Sequence, residues 1–213
     1  MYRTELNYEA DKPTVEVSRL GYENYVLYLG RFSPEKNCHL LIEAFEKLDT
    51  TMKLVLAGGS SHTDEYVTRL RQHLSERIHI IDWVSGQRLE ELLTGAAVFV
   101  LPSSMEGMSL ALLDAMGAGL CVLASDVPEN IETIGNAGFT FKAGDVRDLQ
   151  RTLHLLLANP SVRQDAGVRA QERVRQNYLW DNVALEMSSV YQTLVGHSLG
   201  KGSQPLKTPH RAA

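Results

Sequence analysis

Short apolar runs alternate with amphipathic stretches along most of the chain, and this alternation restricts the fold more than any other feature. The runs favour strands, and they are too short for buried helices. They occupy Tyr25–Gly30, Lys53–Ala57, Ile78–Ile81, Val98–Leu101, Cys121–Ala124 and Gly138–Phe141. Continuous apolar strands suit a sheet covered on both faces. The pattern therefore predicts an α/β fold, a Rossmann-like, doubly wound parallel sheet of about six strands with helices on both faces.

The amphipathic stretches between the runs predict the connecting helices, and a wholly helical segment follows residue 146. Right-handed connections bring the carboxyl ends of all the strands to one edge, where such sheets bind ligands. That edge would carry the loops at 30–37, 57–62, 82–87, 102–110 and 125–132. We predict a polar lead-in at 1–24, a Rossmann-like domain at 25–195 and a disordered basic tail at 196–213.

Charge and cysteine usage exclude several classes of protein. The net charge of −5 argues against binding nucleic acid, and the sequence predicts neither a signal peptide nor a transmembrane segment. Cys38 and Cys121 form no CxxC pair, so we expect a reducing, cytoplasmic location. The tail carries three basic residues, Lys201, Lys207 and Arg211, and contact with the inner face of a membrane stays open as an alternative to a solubilising role.

The loop after the first apolar run carries two cations where a dinucleotide-binding domain would carry glycines. It has no G-x-G-x-x-G turn, and no G-x-x-x-x-G-K-[ST] motif occurs in the chain. Arg31 and Lys36 offer a planar fork and a point charge, which together suit a phosphate. The plain alternative is that both are solvated loop charges, with Lys36 paired to Glu35.

The stretch Pro102–Gly119 begins as a loop and ends as a helix, with two carboxylates eight residues apart. The first amides of a helix favour an anion. Glu106 would therefore accept hydrogen bonds from hydroxyl groups of a ligand, while the amides bind its negative charge. Asp114 has apolar neighbours and needs a partner, for which ribose hydroxyls would serve. The alternatives are a helix-capping role for Glu106 and a backbone or loop donor for Asp114.

These residues resemble the C-terminal, donor-binding domain of GT-B fold glycosyltransferases of family 4 (glycosyl transferases group 1). The pattern G-R-x-x-x-E-K is matched by Gly30, Arg31, Glu35 and Lys36. The pattern P-S-x-x-E-G-F-G-L-x-x-x-E-A-M-A-x-G-x-P-V is matched by Pro102, Ser103, Glu106, Gly107, Leu110, Ala115, Met116, Gly119 and Val122. The segments at 124–130 and 178–181 also fit, so the resemblance covers 25–191.

The resemblance implies a retaining, hexosyltransferase-type enzyme of polysaccharide biosynthesis that uses a nucleotide-diphosphate sugar and needs no metal or other cofactor. Its implied catalytic residues are Arg31 and Lys36, on the diphosphate, and Glu106, on the hydroxyls of the transferred sugar. The implied donor-binding residues are Gly30, Trp83, Val84, Gly107, Met108, Ser109, Leu110 and Asp114. Among these, Asp114 would hold the ribose and the Trp83–Val84 turn the base.

Three departures from the family pattern bear on the proposed site or its helix. Asp114 stands where the pattern has glutamate, Ser109 where it has glycine, and Cys121 where it has proline. The first departure shortens the reach to a ribose by one methylene group. The second places a side chain where the backbone would approach the donor.

The resemblance also implies a second, N-terminal domain that supplies the acceptor site, and only 24 residues precede the first predicted strand. We therefore expect little activity from this chain alone. Three other interpretations of the chain stay open. They are a non-catalytic nucleotide-sugar-binding module, a subunit completed by a separate chain, and an unrelated Rossmann-like nucleotide binder. The uncovered interdomain face, with its final helix at 180–194, also makes self-association an expected possibility.

Overall fold

The computed structural model describes residues 24–60 and 63–199, and side chains as far as residue 194. The strands are β1 (Tyr25–Leu29), β2 (Leu54–Ala57), β3 (Ile78–Ile81), β4 (Ala96–Leu101), β5 (Cys121–Ser125) and β6 (Phe139–Phe141). The helices are α1 (Cys38–Glu46), α2 (Asp64–Arg71), α3 (Gln87–Gly95), α4 (Leu110–Gly117), α5 (Pro128–Ile134), α6 (Val146–Ala158), α7 (Pro160–Asn177) and α8 (Trp180–Leu199).

The described strands form one six-stranded sheet in the order β3-β2-β1-β4-β5-β6, and every adjacent pair is parallel. The chain moves outward from β1 to β3, returns through α3, and then moves in the other direction from β4 to β6. Right-handed connections in opposite directions place their helices on opposite faces. The predicted α/β fold, a Rossmann-like doubly wound sheet, is confirmed.

Burial of the central strands explains why their sequences are continuously apolar. Every residue of β1, β2 and β5 is buried, as are the last five of β4. On one side α1 packs against α6, and on the other α4 packs against α7. A sheet covered on both faces needs apolar side chains at successive positions, which is the pattern that the sequence shows.

Helix α7 is hydrogen-bonded to the carboxyl ends of three earlier helices. Three of its side chains donate to terminal carbonyls of earlier helices: Gln171 Nε2 to Gly117 of α4 at 3.1 Å, Arg173 Nε to Thr133 of α5 at 2.7 Å, and Arg163 Nη1 to Leu156 of α6 at 2.7 Å. The last carbonyls of a helix have no partner within it, and a cation near them is favourable. The polar sequence of α7 is therefore used to cap its neighbours.

Helix α8 presents apolar side chains to solvent over most of its length. Its exposed residues include Trp180, Leu185, Met187, Val190, Tyr191 and Leu194. The helix continues to Leu199, beyond the predicted domain end at residue 195. The predicted lead-in before Asn24 and the predicted tail after Leu199 lie outside the described residues. In the part of the chain that the structure describes, no helix combines the length and apolarity needed to cross a bilayer.

Replacing Gly167 by alanine tests the packing of α7 against the sheet. Alanine is the better helix former by about 1 kcal/mol, so propensity alone predicts a more stable protein. However, a Cβ at Gly167 would lie 2.0 Å from the carbonyl oxygen of Gly119, a backbone atom that cannot rotate away. We expect Gly167→Ala to lower the free energy of unfolding in urea by about 1 to 3 kcal/mol. Val168→Ala, at an exposed position of the same helix, is the control, and equal stability of the two variants would contradict the packing.

Candidate functional site

The strand order reverses between β1 and β4, and most of the predicted site residues follow these two strands. Open α/β sheets bind ligands in the crevice that such a reversal creates. Two hydrogen bonds join the loops that leave β1 and β4: Ser104 N donates to Glu35 O at 2.8 Å, and Asn37 Nδ2 donates to Pro102 O at 3.1 Å. The two motifs found in the sequence therefore form one wall of connected backbone.

The main side-chain contact in this crevice is an ion pair between Lys36 and Glu106. Lys36 Nζ lies 2.7 Å from Glu106 Oε1, and the two side chains are only 15% and 7% exposed. The sequence analysis had considered Glu35 as the partner of Lys36. Instead, the hydroxyl of Ser33 donates to Glu35 and lowers the pKa of its carboxyl. Two predicted site residues are thus in direct contact, although they are 70 positions apart in the sequence.

The entrance of α4 is capped by Ser109, which rules out the capping alternative for Glu106. Ser109 Oγ accepts from the amide of Leu112 at 3.3 Å, so the residue that departs from the family pattern is the N-cap of the helix. A Cβ at Gly107 would meet no atom within 4 Å, which means that the space above this loop is open. Met108 and Leu110 expose 64% and 46% of their surface beside it. The first amides of α4 have no acceptor among the carbonyls of the helix, and Ser109 accepts from the amide of Leu112.

Asp114 lies in the second turn of α4 and is half-buried. Removal from water raises the pKa of its carboxyl above the usual value for aspartate. Arg31 has an exposed side chain, and its carbonyl oxygen accepts a hydrogen bond from the hydroxyl of buried Tyr28 at 2.8 Å. The two joined loops therefore carry an exposed guanidinium and an ion pair, and they lead to a helix whose second turn holds a desolvated carboxyl.

The loops after β1, β2 and β3 approach each other closely. A Cβ at Gly58 would lie 1.8 Å from the backbone carbonyl oxygen of Gly30, so this position requires glycine, and one at Gly59 would lie 2.3 Å from Nε1 of the Trp83 side chain. Trp83 is 59% exposed and Val84 is half-buried. The sequence analysis assigned no role to Gly58 and Gly59, although a glycine pair at the end of a strand signals a close backbone approach.

A cavity of about 300 Å³ opens on the same edge, between α2 and the loops after β1 and β2. Its lining includes Phe32, Asp64, Arg71 and Asp82, and none of the predicted site residues. Within residues 24–60 and 63–199, no three or more His, Cys, Asp and Glu side chains are grouped as metal ligands would be. The metal independence that the sequence suggested stays a prediction.

Comparison with known proteins identifies the family. The sequence profile named "Glycosyl transferases group 1" matches residues 15–173, which is most of the chain. This chain belongs to the glycosyl transferases group 1 family. The match begins at residue 15, within the predicted lead-in at 1–24.

Individual group 1 relatives are similar over about half of their own length. O-antigen chain mannosyltransferase B of Escherichia coli is 29% identical over 188 residues, which are 85% of this chain and 49% of that protein. Among solved structures, sucrose-phosphate synthase of Thermosynechococcus elongatus is 26% identical with a TM-score of 0.76, over 84% of this chain and 48% of that one. The Anabaena protein HepE in complex with UDP-glucose has a TM-score of 0.80 at 19% identity, over 89% and 55%.

The ion pair of this group 1 domain can be tested by removing its cation. Lys36→Met leaves the Glu106 carboxylate buried without its partner, and we expect a loss of about 2 to 4 kcal/mol in the free energy of unfolding. Adding Glu106→Gln to this variant should restore part of the lost free energy of unfolding. A double-mutant cycle measured in urea should then give a coupling energy above about 1 kcal/mol between the two side chains. The pair Lys47–Glu43, about half exposed, is the control and should couple by about 0.5 kcal/mol or less. Equal coupling in both cycles would contradict the buried contact.

The raised pKa of Asp114 predicts a pH dependence with a defined sign. A carboxyl whose pKa is raised by folding stabilises the protein fully below its unfolded pKa, and this contribution is lost as pH rises through the folded pKa. Asp114→Asn should therefore increase the free energy of unfolding relative to wild type at neutral pH. The gain should shrink as pH falls towards the ordinary pKa of aspartate.

Asp148 supplies the control of opposite sign. The amide of Lys142 and the side chain of Arg151 donate to its carboxylate and lower its pKa. Asp148→Asn should therefore be less stable than wild type at neutral pH, and this difference should vanish in acid. If the stability changes of the two variants depend on pH in the same direction, the raised pKa of Asp114 is contradicted.

Proposed function

We propose that this chain is the donor-binding domain of a retaining, metal-independent, family 4 glycosyltransferase, and that it binds a nucleotide-diphosphate sugar. The observation that carries the proposal is the ion pair between Lys36 and Glu106, which joins the loop that carries Arg31 and Lys36 to the loop that leads into α4. A diphosphate placed there would meet a guanidinium, an ammonium and the first amides of a helix. All three favour an anion of this kind.

The Lys36–Glu106 pair is compatible with a bound donor. An ammonium has three N–H donors, and the ion pair uses one of them, so Lys36 can contact a phosphate oxygen while Glu106 holds it. Glu106 has a second carboxylate oxygen for a sugar hydroxyl. The pair would thus place the ammonium of Lys36 beside the phosphate and a carboxylate oxygen of Glu106 beside a sugar hydroxyl.

The remaining contacts follow the order of groups in a nucleotide sugar. The amides of Met108, Ser109 and Leu110 would lie near the sugar and phosphate, above the open space at Gly107. Asp114, a half-buried carboxyl in the second turn of α4, would accept hydrogen bonds from the ribose hydroxyls. The Trp83–Val84 turn would contact the base, beside Gly59.

In the proposed reaction, the bond between the anomeric carbon and the donor's phosphate oxygen breaks, and the nucleoside diphosphate leaves as an anion. Arg31, Lys36 and the amides of α4 would stabilise the charge that develops on it, which is electrostatic catalysis by fixed groups. The oxygen of the acceptor hydroxyl would form the new bond to the anomeric carbon and lose its proton. The same groups would thus bind the donor and lower the barrier to its departure.

Transfer also needs an acceptor site, which we assign to a second domain. The chain spans about half the length of the curated relatives it matches. The apolar side chains exposed along α8 are suited to packing against such a domain, in the same protein or in a separate chain. A binding module without activity of its own and self-association through this face stay as alternatives. We place the protein in the cytoplasm, in polysaccharide biosynthesis.

Calorimetry with UDP, GDP and ADP tests the proposal on the 213-residue chain. We expect one of them to bind, and Arg31→Ala to weaken binding by about 10- to 100-fold, because a charge-assisted contact to phosphate is lost. Arg175→Ala is the charge-matched control, since Arg175 is exposed in the last turn of α7 and should leave affinity unchanged.

Two outcomes would count against the proposal. If none of the three nucleotides binds at millimolar concentration, the proposal that this chain binds the donor is wrong. Equal affinity of the wild type and the Arg31→Ala variant would place the diphosphate elsewhere.

A further inference from the structure

Two fully buried tyrosines of β1 donate their hydroxyl groups to backbone carbonyls. Tyr25, at the amino end of the strand, donates to Leu92 of α3. Tyr28, near the carboxyl end, donates to Arg31 at 2.8 Å, directly beneath the candidate site. The two side chains are alike in burial and in type of partner, but only Tyr28 contacts the loop that carries the cations.

The Tyr28 side chain contacts the start of that loop in two ways. Its hydroxyl donates to the carbonyl of Arg31, and its ring stacks on that of buried Phe32, with 6.2 Å between the ring centroids. Both contacts hold residues 31 and 32 against the end of β1.

The phenol also packs closely under the turn that opens the loop. Gly30 has a φ of +154°, and a Cβ there would lie 2.8 Å from Tyr28 Oη. Burial, with smaller contributions from neighbours that include Cys38 and Glu106, raises the pKa of the Tyr28 hydroxyl. The hydroxyl therefore remains a donor to Arg31 over the whole range of pH in which the protein would function.

We propose that Tyr28 is a positioning residue for the donor diphosphate, because its hydroxyl fixes the carbonyl of Arg31 in the loop that presents Arg31 and Lys36. The inference rests on the proposed function of this loop. Tyr28 itself does not touch the ligand. Fixing the loop before binding lowers the entropy lost when the cations engage a phosphate.

Tyr28→Phe tests this role, with Tyr25→Phe as a matched control. Each variant deletes one buried hydroxyl on β1, but only the first releases the loop. We expect Tyr28→Phe to weaken UDP binding about three- to tenfold by calorimetry, the size expected for one hydrogen bond, and Tyr25→Phe by less than about twofold. If Tyr28 acts through the cations, its effect should fall below about twofold in an Arg31→Ala background.

Hydrogen exchange gives a second readout that needs no ligand. Amides of residues 31–38 should exchange faster in Tyr28→Phe than in wild type, and not in Tyr25→Phe. If wild type binds UDP and Arg31→Ala weakens it, but the two tyrosine variants bind alike, this inference fails and the proposed function stands. An undiminished Tyr28→Phe effect in the Arg31→Ala background also overturns it. If no nucleotide binds, unchanged exchange in the loop overturns the anchoring, and faster exchange supports it.

Discussion

The candidate site exists because the strand order reverses beside β1. The chain leaves β1 towards β2 and β3 and returns to form β4 on its other side, so the loops after β1 and β4 leave the sheet next to each other. Both strands are buried on both faces, and the register between them fixes where each loop begins. The contact between Lys36 and Glu106 follows from this arrangement, which brings together residues 70 positions apart.

Charge balance explains how an anion-favouring helix entrance tolerates a carboxylate beside it. Glu106 does not compete with the amides of α4, because Lys36 neutralises it and Ser109 performs the capping. Asp114 lies further along the same helix, where removal from water raises the pKa of its carboxyl. This distribution of charge supports the proposed donor site, whose ligand would bring both negative charge and hydroxyl groups. A nucleotide-diphosphate sugar has both.

Strands and helices were well predicted from the sequence because their apolar periodicity depends on local sequence and burial alone. The predicted run at 78–81 coincides with β3, and the other strands begin or end within about two residues of the predicted positions. The partner of Lys36 could not be predicted, because an ion pair between distant residues depends on which strands are adjacent. The capping role of Ser109 had a local signal, a serine before an apolar helix, which the comparison with the family's glycine obscured.

Other features depend on contacts that no periodicity reveals. The approach of Gly58 to Gly30 and the anchoring of the cation loop by Tyr28 depend on three-dimensional proximity at the end of β1. Tyr28 is indistinguishable in sequence from an ordinary strand residue, and its polar role appears only once its hydroxyl is placed. In the same way, the sequence of α7 does not reveal that Arg173 and Arg163 donate to the last carbonyls of α5 and α6.

A crystal structure of the chain with UDP would test the central claim most directly, because two concave regions lie on the same edge of the sheet. We expect the diphosphate between Arg31, Lys36 and the first turn of α4, with the ribose towards Asp114. A nucleotide bound instead in the cavity lined by Phe32 and Arg71 would contradict the assignment of the donor site to the crevice between β1 and β4.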